Sequence, residues 1–180
     1  MPRLMPDTDE SRGKRRDAAD PFERLFSAEY GRVVAIAYRV LVDRGEAEDV
    51  AQEVFLDFHR KHPADAGYAA AWLYRAAVHS ALNRIRSRKR RERRELASAD
   101  LTPSGSDPQQ VVEIEEQRRQ VREALRRLPR KAASVLALRY SGLSYVEVGL
   151  ALGVGTGQIG TLLRRAEQAL RKEMTHATSD

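Results

Sequence analysis

The chain has 180 residues, of which 42% are hydrophobic and only 6% aromatic, a size suited to one ordinary domain or two small ones. It contains no cysteine, which excludes a disulfide framework, a thiol nucleophile and a cysteine-ligated metal site. The formal net charge is +6, but residues 84–94 (RIRSRKRRERR) alone hold eight basic residues and one acid, so the rest of the chain sums to −1. A basic run of this density suits a polyanion, and nucleic acid is the first expectation.

Three helices are predicted in the first half of the chain. Asp20 is placed as an N-cap and Glu23, three residues on, as its capping-box partner, and apolar residues then recur at helical spacing. Asp43 caps a second helix, rich in acids, that Pro63 terminates. A third helix starts near Tyr68 and continues without glycine or proline through the basic run.

The composition also predicts the domain boundaries. Residues 98–109 are rich in Ser, Pro, Gly and Asp and form a predicted flexible linker between an N-terminal domain (20–97) and a C-terminal domain (110–174). Residues 1–19 and 175–180 are predicted to be disordered tails. Because no segment resembles a signal peptide or an apolar membrane span, a cytoplasmic protein is expected. The predicted fold class is all-α: two small helical domains joined by a flexible linker.

The end of the C-terminal domain has the pattern of a helix-turn-helix. Ser144 and Glu147 form a predicted capping box for a short helix that ends before Gly153, and a last helix runs from about Gly157 to Met174. The second helix of such a motif places its N-terminal residues on base edges and its basic residues on phosphates, although two helices around a glycine turn also occur in structural bundles. The predicted DNA contacts are Gln158, Thr161, Arg164 and Arg165.

Other motifs in the sequence carry less weight. Gly155, Gly157 and Gly160 match the dinucleotide-binding pattern G-x-G-x-x-G, but the twenty residues that follow are too few for the second strand and the acidic residue that this site needs. His59 and His62 lie three apart without a further predicted metal ligand. No grouping typical of a catalytic centre is present, so no catalytic residue, metal or cofactor is expected.

Three segments in order resemble bacterial RNA polymerase sigma factors of the extracytoplasmic-function (ECF) group. GEAEDVAQEVFLDFHR resembles the family's acidic polymerase-binding helix, and AAWLYRAAVHSALNRIRSRKRR resembles the helix that melts and reads the minus-ten promoter element. LSYVEVGLALGVGTGQIGTLLRRAEQALR resembles the helix-turn-helix that reads the minus-thirty-five element. The resemblance covers about residues 20–174.

This resemblance implies roles for particular residues. The acidic helix is expected to dock on a basic coiled coil of the polymerase's largest subunit through Asp49, Gln52, Glu53 and Phe55. The third helix is expected to bind the opened minus-ten strand through Trp72, Arg75, His79, Asn83, Arg84, Arg86 and Arg88. An aromatic residue can stack on bases, although Trp72 equally suits the core. No catalysis is required, because binding the single-stranded form better than the duplex drives opening.

The chain departs from the family pattern at two places. His79 stands where the family usually has the asparagine that captures a minus-ten base, and a neutral imidazole offers one donor and one acceptor for a base edge. Gly160 and Leu162 stand where basic residues are common, and a helical glycine costs about 1 kcal/mol relative to alanine.

The resemblance thus predicts a sigma factor that binds core RNA polymerase and directs promoter recognition, DNA melting and initiation. The expected partners are core RNA polymerase, promoter DNA and an anti-sigma factor or other regulator, with no membrane insertion. Two alternatives fit the same residues. One is a stand-alone helix-turn-helix regulator, and the other is a polymerase-binding adaptor with a degenerate DNA reader.

Overall fold

The computed structural model describes residues 20–96 and 109–177. The predicted N-terminal tail and nearly all of the predicted linker lie outside these residues. Within them the chain forms seven α-helices and no strand, which confirms the all-α fold class. The helices are α1 (Pro21–Leu41), α2 (Arg44–Lys61), α3 (Ala69–Leu96), α4 (Gln109–Arg127), α5 (Arg130–Tyr140), α6 (Tyr145–Leu152) and α7 (Thr156–Ala177).

Helices α1, α2 and α3 pack on one another around an apolar core. Their largest fully buried side chains include Ile36, Phe58 and Leu73. Complete burial of a side chain of this size stabilises the fold by about 1.5–3 kcal/mol. Burial of these apolar stripes fixes which faces of α2 and α3 remain outside, and those outer faces carry the acidic and basic residues.

Side-chain caps start the first two helices. Asp43 Oδ1 accepts the amide of Glu46 at 2.8 Å, as predicted for α2. Asp20 Oδ1 accepts the amide of Phe22 at 3.3 Å rather than that of Glu23. The cap of α1 is therefore a single hydrogen bond to the second residue of the helix and not the predicted capping box.

The C-terminal domain consists of α4 to α7. At the start of α6, Ser144 Oγ accepts the amide of Glu147 at 3.2 Å and Glu147 Oε2 accepts the amide of Ser144 at 2.8 Å, which confirms the capping box. Gly153 ends α6 in the left-handed conformation, with φ of 65°. α7 continues to Ala177, three residues beyond the predicted end at Met174.

The length and hydropathy of the described helices bear on whether any of them spans a membrane. No single one of them is long and apolar enough to cross a membrane. α6 and α7 meet the criterion only as a pair, and the pair is bent by 90° at its break.

Candidate nucleic-acid and protein interfaces

The outer face of α2 is acidic. Asp49 and Glu53 lie one turn apart with side chains 66% and 65% exposed, and Gln52 lies exposed beside them. Carboxylates in this position attract a basic partner and repel DNA. The structure therefore presents three of the four predicted polymerase-binding residues on one accessible surface, which we call the acidic face.

Phe55, the fourth of these residues, lies in the core instead. It is only 2% exposed, and its ring centroid is 4.9 Å from that of Phe26 and 6.2 Å from that of Phe22. The prediction that Phe55 contacts the polymerase directly is thus corrected, because its ring is enclosed by α1. The apolar side chain that α2 does expose is Leu56, at 53%, seven residues after Asp49 and hence on the same face.

The acidic face is paired with the start of the basic run of α3. Arg84 Nη2 lies 2.6 Å from Glu53 Oε1, and Arg84 Nη1 lies 3.9 Å from Asp49 Oδ2. Arg88 Nη1 lies 3.5 Å from Glu46 Oε1. The sequence alone predicts separate surfaces for these acids and bases, each with its own partner. In the structure they neutralise each other across the α2–α3 contact.

A second set of predicted DNA contacts shares a different side of α3. The spacing of three or four residues between successive members places them on one helical stripe. Asn83 and Arg75 are exposed, whereas His79 and Arg86 are half-buried. We call this surface the minus-ten stripe; its members are Trp72, Arg75, His79, Asn83 and Arg86.

The electrostatics of this stripe reflect crowded positive charge. Burial lowers the pKa of His79, and the charges of Arg130 and Arg75 lower it further. The pKa of Arg86 is also lowered, first by burial and then by Arg130 and Arg126. The imidazole is therefore held in its neutral form near pH 7, with one donor and one acceptor.

Trp72 lies at the N-terminal end of the stripe and is half-buried. Its ring system contacts Phe58 and His62, with centroid distances of 5.4 Å and 4.9 Å. His62 also stacks on Phe58, at 5.1 Å. These contacts give Trp72 a packing role, and its remaining surface is available to a ligand. They also give His62 an aromatic environment.

His59 and His62 each pack on aromatic rings. The ring of His59 lies 4.4 Å from that of Phe22, between centroids, while His62 packs on Phe58 and Trp72. Within residues 20–96 and 109–177, no group of three or more histidine or acidic side chains is arranged to hold a metal ion.

Helices α6 and α7 meet at 90°, the geometry of a helix-turn-helix. The turn is tight: the amide of Val154 donates to the carbonyl of Gly149 at 3.0 Å, and a Cβ on Gly149 would lie 2.9 Å from the Val154 carbonyl oxygen. Ile159 is fully buried beneath the start of α7. All four predicted contacts of this motif are exposed: Gln158, Thr161, Arg164 and Arg165.

The unusual Gly160 and Leu162 lie on the sides of α7 that pack. Gly160 is half-buried, and a Cβ built there would lie 3.7 Å from the ring of Tyr145, an ordinary contact distance. Leu162 packs against the hydrophobic core. Gly160 and Leu162 therefore leave the exposed face of Thr161 and Arg164 intact.

Together, a helix-turn-helix with an exposed cationic second helix and a separate helical domain with a basic helix define a two-domain DNA-binding transcription protein. Comparison with known families agrees. Residues 25–91 match the family model of sigma-70 region 2, and residues 118–170 match that of sigma-70 region 4.

Individual relatives narrow this class. The chain is 30% identical over 156 residues to the ECF RNA polymerase sigma factor SigK of Mycobacterium bovis, with 83% of each chain covered. It is 28% identical over 174 residues to the ECF RNA polymerase sigma factor SigW of Bacillus subtilis, covering 86% of this chain and 89% of SigW. The chain belongs to the ECF RNA polymerase sigma factors. It is a sigma factor that directs promoter recognition and transcription initiation by RNA polymerase.

Two solved structures share the fold. The sigma factor RpoE in complex with the anti-sigma factor NepR from Bartonella quintana matches with a TM-score of 0.51 at 20% identity, over 86% of this chain and 96% of RpoE. CnrH in complex with the cytosolic domain of CnrY matches with a TM-score of 0.54 at 17% identity, over 86% of this chain and 88% of CnrH.

Proposed function

We propose that three surfaces divide the work of this sigma factor. The acidic face of α2 docks on a basic surface of core RNA polymerase, the minus-ten stripe with Arg84 and Arg88 binds and opens the minus-ten element, and the exposed face of α7 binds duplex DNA upstream. The observation that supports this division most directly is that each of the three helices exposes part of its set. Asp49 and Glu53 are exposed on α2, Arg75 and Asn83 on α3, and Arg164 and Arg165 on α7.

DNA opening in this scheme needs no chemistry from the protein. The arginines of α3 bind phosphates, and the neutral His79 and the amide of Asn83 offer hydrogen bonds to base edges. Binding of the single-stranded form in preference to the duplex shifts the equilibrium toward the opened promoter. The protein therefore acts without catalysing a reaction, in the cytoplasm where its polymerase lies.

The pairing of Arg84 with Glu53 and Asp49 adds a competition to this scheme. A basic polymerase surface that occupies the acidic face takes the place of Arg84 as the counter-charge of these carboxylates. Arg84 is then released for a phosphate. Docking on the polymerase and binding of promoter DNA therefore support each other.

We also propose an anti-sigma factor as a third partner. Both structures of similar fold are complexes, RpoE with the anti-sigma factor NepR and CnrH with the cytosolic domain of CnrY. A partner of this kind would cover apolar surface, and the C-terminal domain offers exposed Val146 and Leu150 one turn apart on α6. Substitution of both by serine is expected to weaken capture of such a partner.

The test of the division of labour is reconstituted transcription with core enzyme. Asp49→Arg combined with Glu53→Arg is expected to weaken core binding by about 100-fold or more, because two attractive charges become repulsive. Reversal of two exposed acids elsewhere in the domain, Glu23→Arg with Asp65→Arg, is the matched control and is expected to leave core binding unchanged.

The first pair of reversals also removes the partners of Arg84, so a milder pair is needed beside it. Asp49→Asn with Glu53→Gln removes the charges without adding new ones and is expected to give an intermediate loss. Thermal melting of each variant identifies any loss of folding. Core binding that survives both pairs would rule out the acidic face as the docking surface.

A further inference from the structure

A small cleft lies between α3 and the start of α5. Its volume is about 280 Å³. Arg75 and His79 of α3 line it together with Arg130 and Lys131 of α5, and Leu152 of α6 completes the lining. Three of these five side chains are cationic and none is acidic. The cleft is therefore a concave surface of strongly positive character.

The charges in this cleft are not neutralised by the described part of the protein. Within residues 20–96 and 109–177, Arg75, Arg130 and Lys131 form no ion pair with an acidic side chain. Arg130 Nη2 donates to Asn83 Oδ1 at 2.5 Å, but this acceptor is uncharged. Burial lowers the pKa of His79, and the charges of Arg130 and Arg75 lower it further. The positive charge of the cleft is thus available to an anion.

The start of α5 adds to this positive character. Pro129 stands at the N-cap without a side-chain hydrogen bond, and the first turn contains no acid. The first amides of a helix have no acceptor within the helix, and the helix dipole places partial positive charge at the same end. Arg130 and Lys131 lie in this turn, where cations are unfavourable to the dipole. A bound anion would convert this unfavourable arrangement into a favourable one.

A buried hydroxyl lies on the same face of α5. Ser134 is 1% exposed, and its Oγ has no hydrogen-bond partner in the described part of the protein. It follows Arg130 by four residues and Lys131 by three, which is the spacing that places helical side chains on one face. A buried hydroxyl without a partner costs free energy that a bound acceptor would recover. Ser134 therefore supplies a further donor on the face of α5 that carries the two cations.

These donors suit phosphoryl groups. The guanidinium group of arginine binds phosphate oxygens in a bidentate manner, and lysine adds a compact charge. A phosphate ester carries about −1.5 to −2 charge at pH 7, so three cations match two phosphoryl groups better than one. The volume of the cleft is just below the range of about 300–1,000 Å³ that is typical of small-molecule pockets. The fitting ligand is therefore small and carries a diphosphate.

We propose that the cleft between α3 and α5 is a binding site for a small diphosphate-bearing ligand, pyrophosphate or a nucleoside diphosphate, held by Arg75, Arg130 and Lys131. Arg130, Lys131 and Ser134 belong to none of the three surfaces assigned to polymerase and promoter DNA. Arg75 and His79 also belong to the minus-ten stripe. On the proposed function, a bound diphosphate therefore competes with the opened strand for these two side chains.

Isothermal titration calorimetry of the full chain, without polymerase or DNA, tests the site. The probes are pyrophosphate, ADP and adenosine, in about 0.15 M salt to screen exposed charges. Pyrophosphate and ADP are expected to bind with one-to-one stoichiometry, and adenosine, which lacks phosphoryl groups, is not. Arg130→Gln with Lys131→Gln should weaken both by about tenfold or more, because two charge-assisted contacts are lost. Absence of saturable binding of pyrophosphate and ADP to the parent chain would overturn the proposal.

Arg171→Gln with Lys172→Gln is the matched control. These two residues repeat the Arg-Lys sequence on α7, are exposed and do not line the cleft. The control removes the same charge and should leave diphosphate binding unchanged. Equal losses in the two pairs would reduce the effect to general charge attraction and overturn the site. Arg130→Gln relieves an unfavourable charge at the start of α5 and is not expected to unfold it, which thermal melting checks.

The phosphates of DNA offer the same chemistry, so a labelled twelve-nucleotide single strand provides a second arm of the test. If strand binding falls in Arg130→Gln with Lys131→Gln but not in the control, while ADP does not bind, the cleft would hold the DNA backbone and the proposal would be wrong. The calorimetry is independent of the proposed function. A chain that binds ADP but directs no transcript would lose only its division of labour, whereas normal transcription without ADP binding would remove only this site.

Discussion

The two helices assigned to DNA, α3 and α7, differ in how their side chains are presented. On α3, Asn83 and Arg86 bond to the C-terminal domain, and Arg84 bonds to acids on α2. On α7, Arg164 and Arg165 are exposed. Two helices that look alike in the sequence therefore differ: three polar side chains of α3 are bonded within the molecule, whereas the two arginines of α7 are exposed. The availability of a DNA-binding residue therefore depends on long-range contacts as well as on its type.

The largest effect is expected from a change in the frame that presents α7. In Gly149→Ala the new Cβ would lie 2.9 Å from the carbonyl oxygen of Val154, a backbone atom that cannot move without distorting the turn. We expect the free energy of unfolding to fall by about 2 kcal/mol, as for other overpacked sites. Urea denaturation measures the loss.

Gly160→Ala is the matched control for this prediction. Its Cβ would meet the ring of Tyr145 at 3.7 Å, and alanine is the better helix former by about 1 kcal/mol. The control should be as stable as the parent chain or more so. Equal stabilities for Gly149→Ala and the parent would show that the turn is looser than its geometry indicates.

A smaller effect on DNA binding distinguishes the exposed arginines of α7 from the residues of α3. Arg164→Gln with Arg165→Gln should weaken binding of the isolated chain to duplex DNA by about tenfold and reduce the salt slope by about 2, because two phosphate contacts are lost. Arg75→Gln with Arg86→Gln, the equivalent change on the stripe, should have less than half that effect on the slope. Fluorescence anisotropy across a salt series measures both slopes. Equal losses for the two pairs would remove the distinction between α3 and α7.

Much of the local structure was predictable from the sequence. The caps at Asp43 and Ser144, the glycine stop at Gly153 and the helical periods are signals written within a few residues of one another. These signals gave the all-α fold and the exposed face of α7. The length of α7 was underestimated because fraying at a helix end has no sharp sequence signal.

The contacts that cover α3 were not predictable in the same way. Asn83 and Arg130 are 47 residues apart, and nothing local to either residue indicates the other. Periodicity places Phe55 on the apolar side of α2, whereas the family pattern predicts a direct contact with polymerase. The structure buries Phe55 against α1, so the periodicity is the better guide to its position. Pairing of Arg84 with Glu53 depends on the rotation of α3 about its axis, which periodicity does not fix relative to a neighbouring helix.

The smallest expected effect concerns Glu147, which caps α6 and also accepts a hydrogen bond from Arg32 of α1. Its pKa is lowered chiefly by the backbone amide of Ser144, with further contributions from the Ser144 hydroxyl and from Arg32, against a rise from burial. A carboxyl whose pKa is lower in the folded state stabilises the fold at pH values above its unfolded pKa. That contribution is lost as the pH falls through the folded pKa. Glu147→Gln should therefore destabilise the chain at pH 7, and its difference from the parent should disappear as the pH falls below the folded-state pKa of Glu147.

The same variant in an Arg32→Gln background separates the two roles of Glu147. The Ser144 amide lowers the pKa of Glu147 more than Arg32 does, so most of the pH dependence should persist without Arg32. At pH 7, Glu147→Gln should lower the free energy of unfolding of the Arg32→Gln chain by about 1 kcal/mol or less. The smaller part that Arg32 contributes should shrink at high salt, because its pair with Glu147 is partly exposed. If the pH dependence of the Glu147→Gln effect disappeared completely in the Arg32→Gln background, the stabilisation would come from the Arg32–Glu147 contact between α1 and α6. Acid would then weaken that contact and leave the cap of α6 intact.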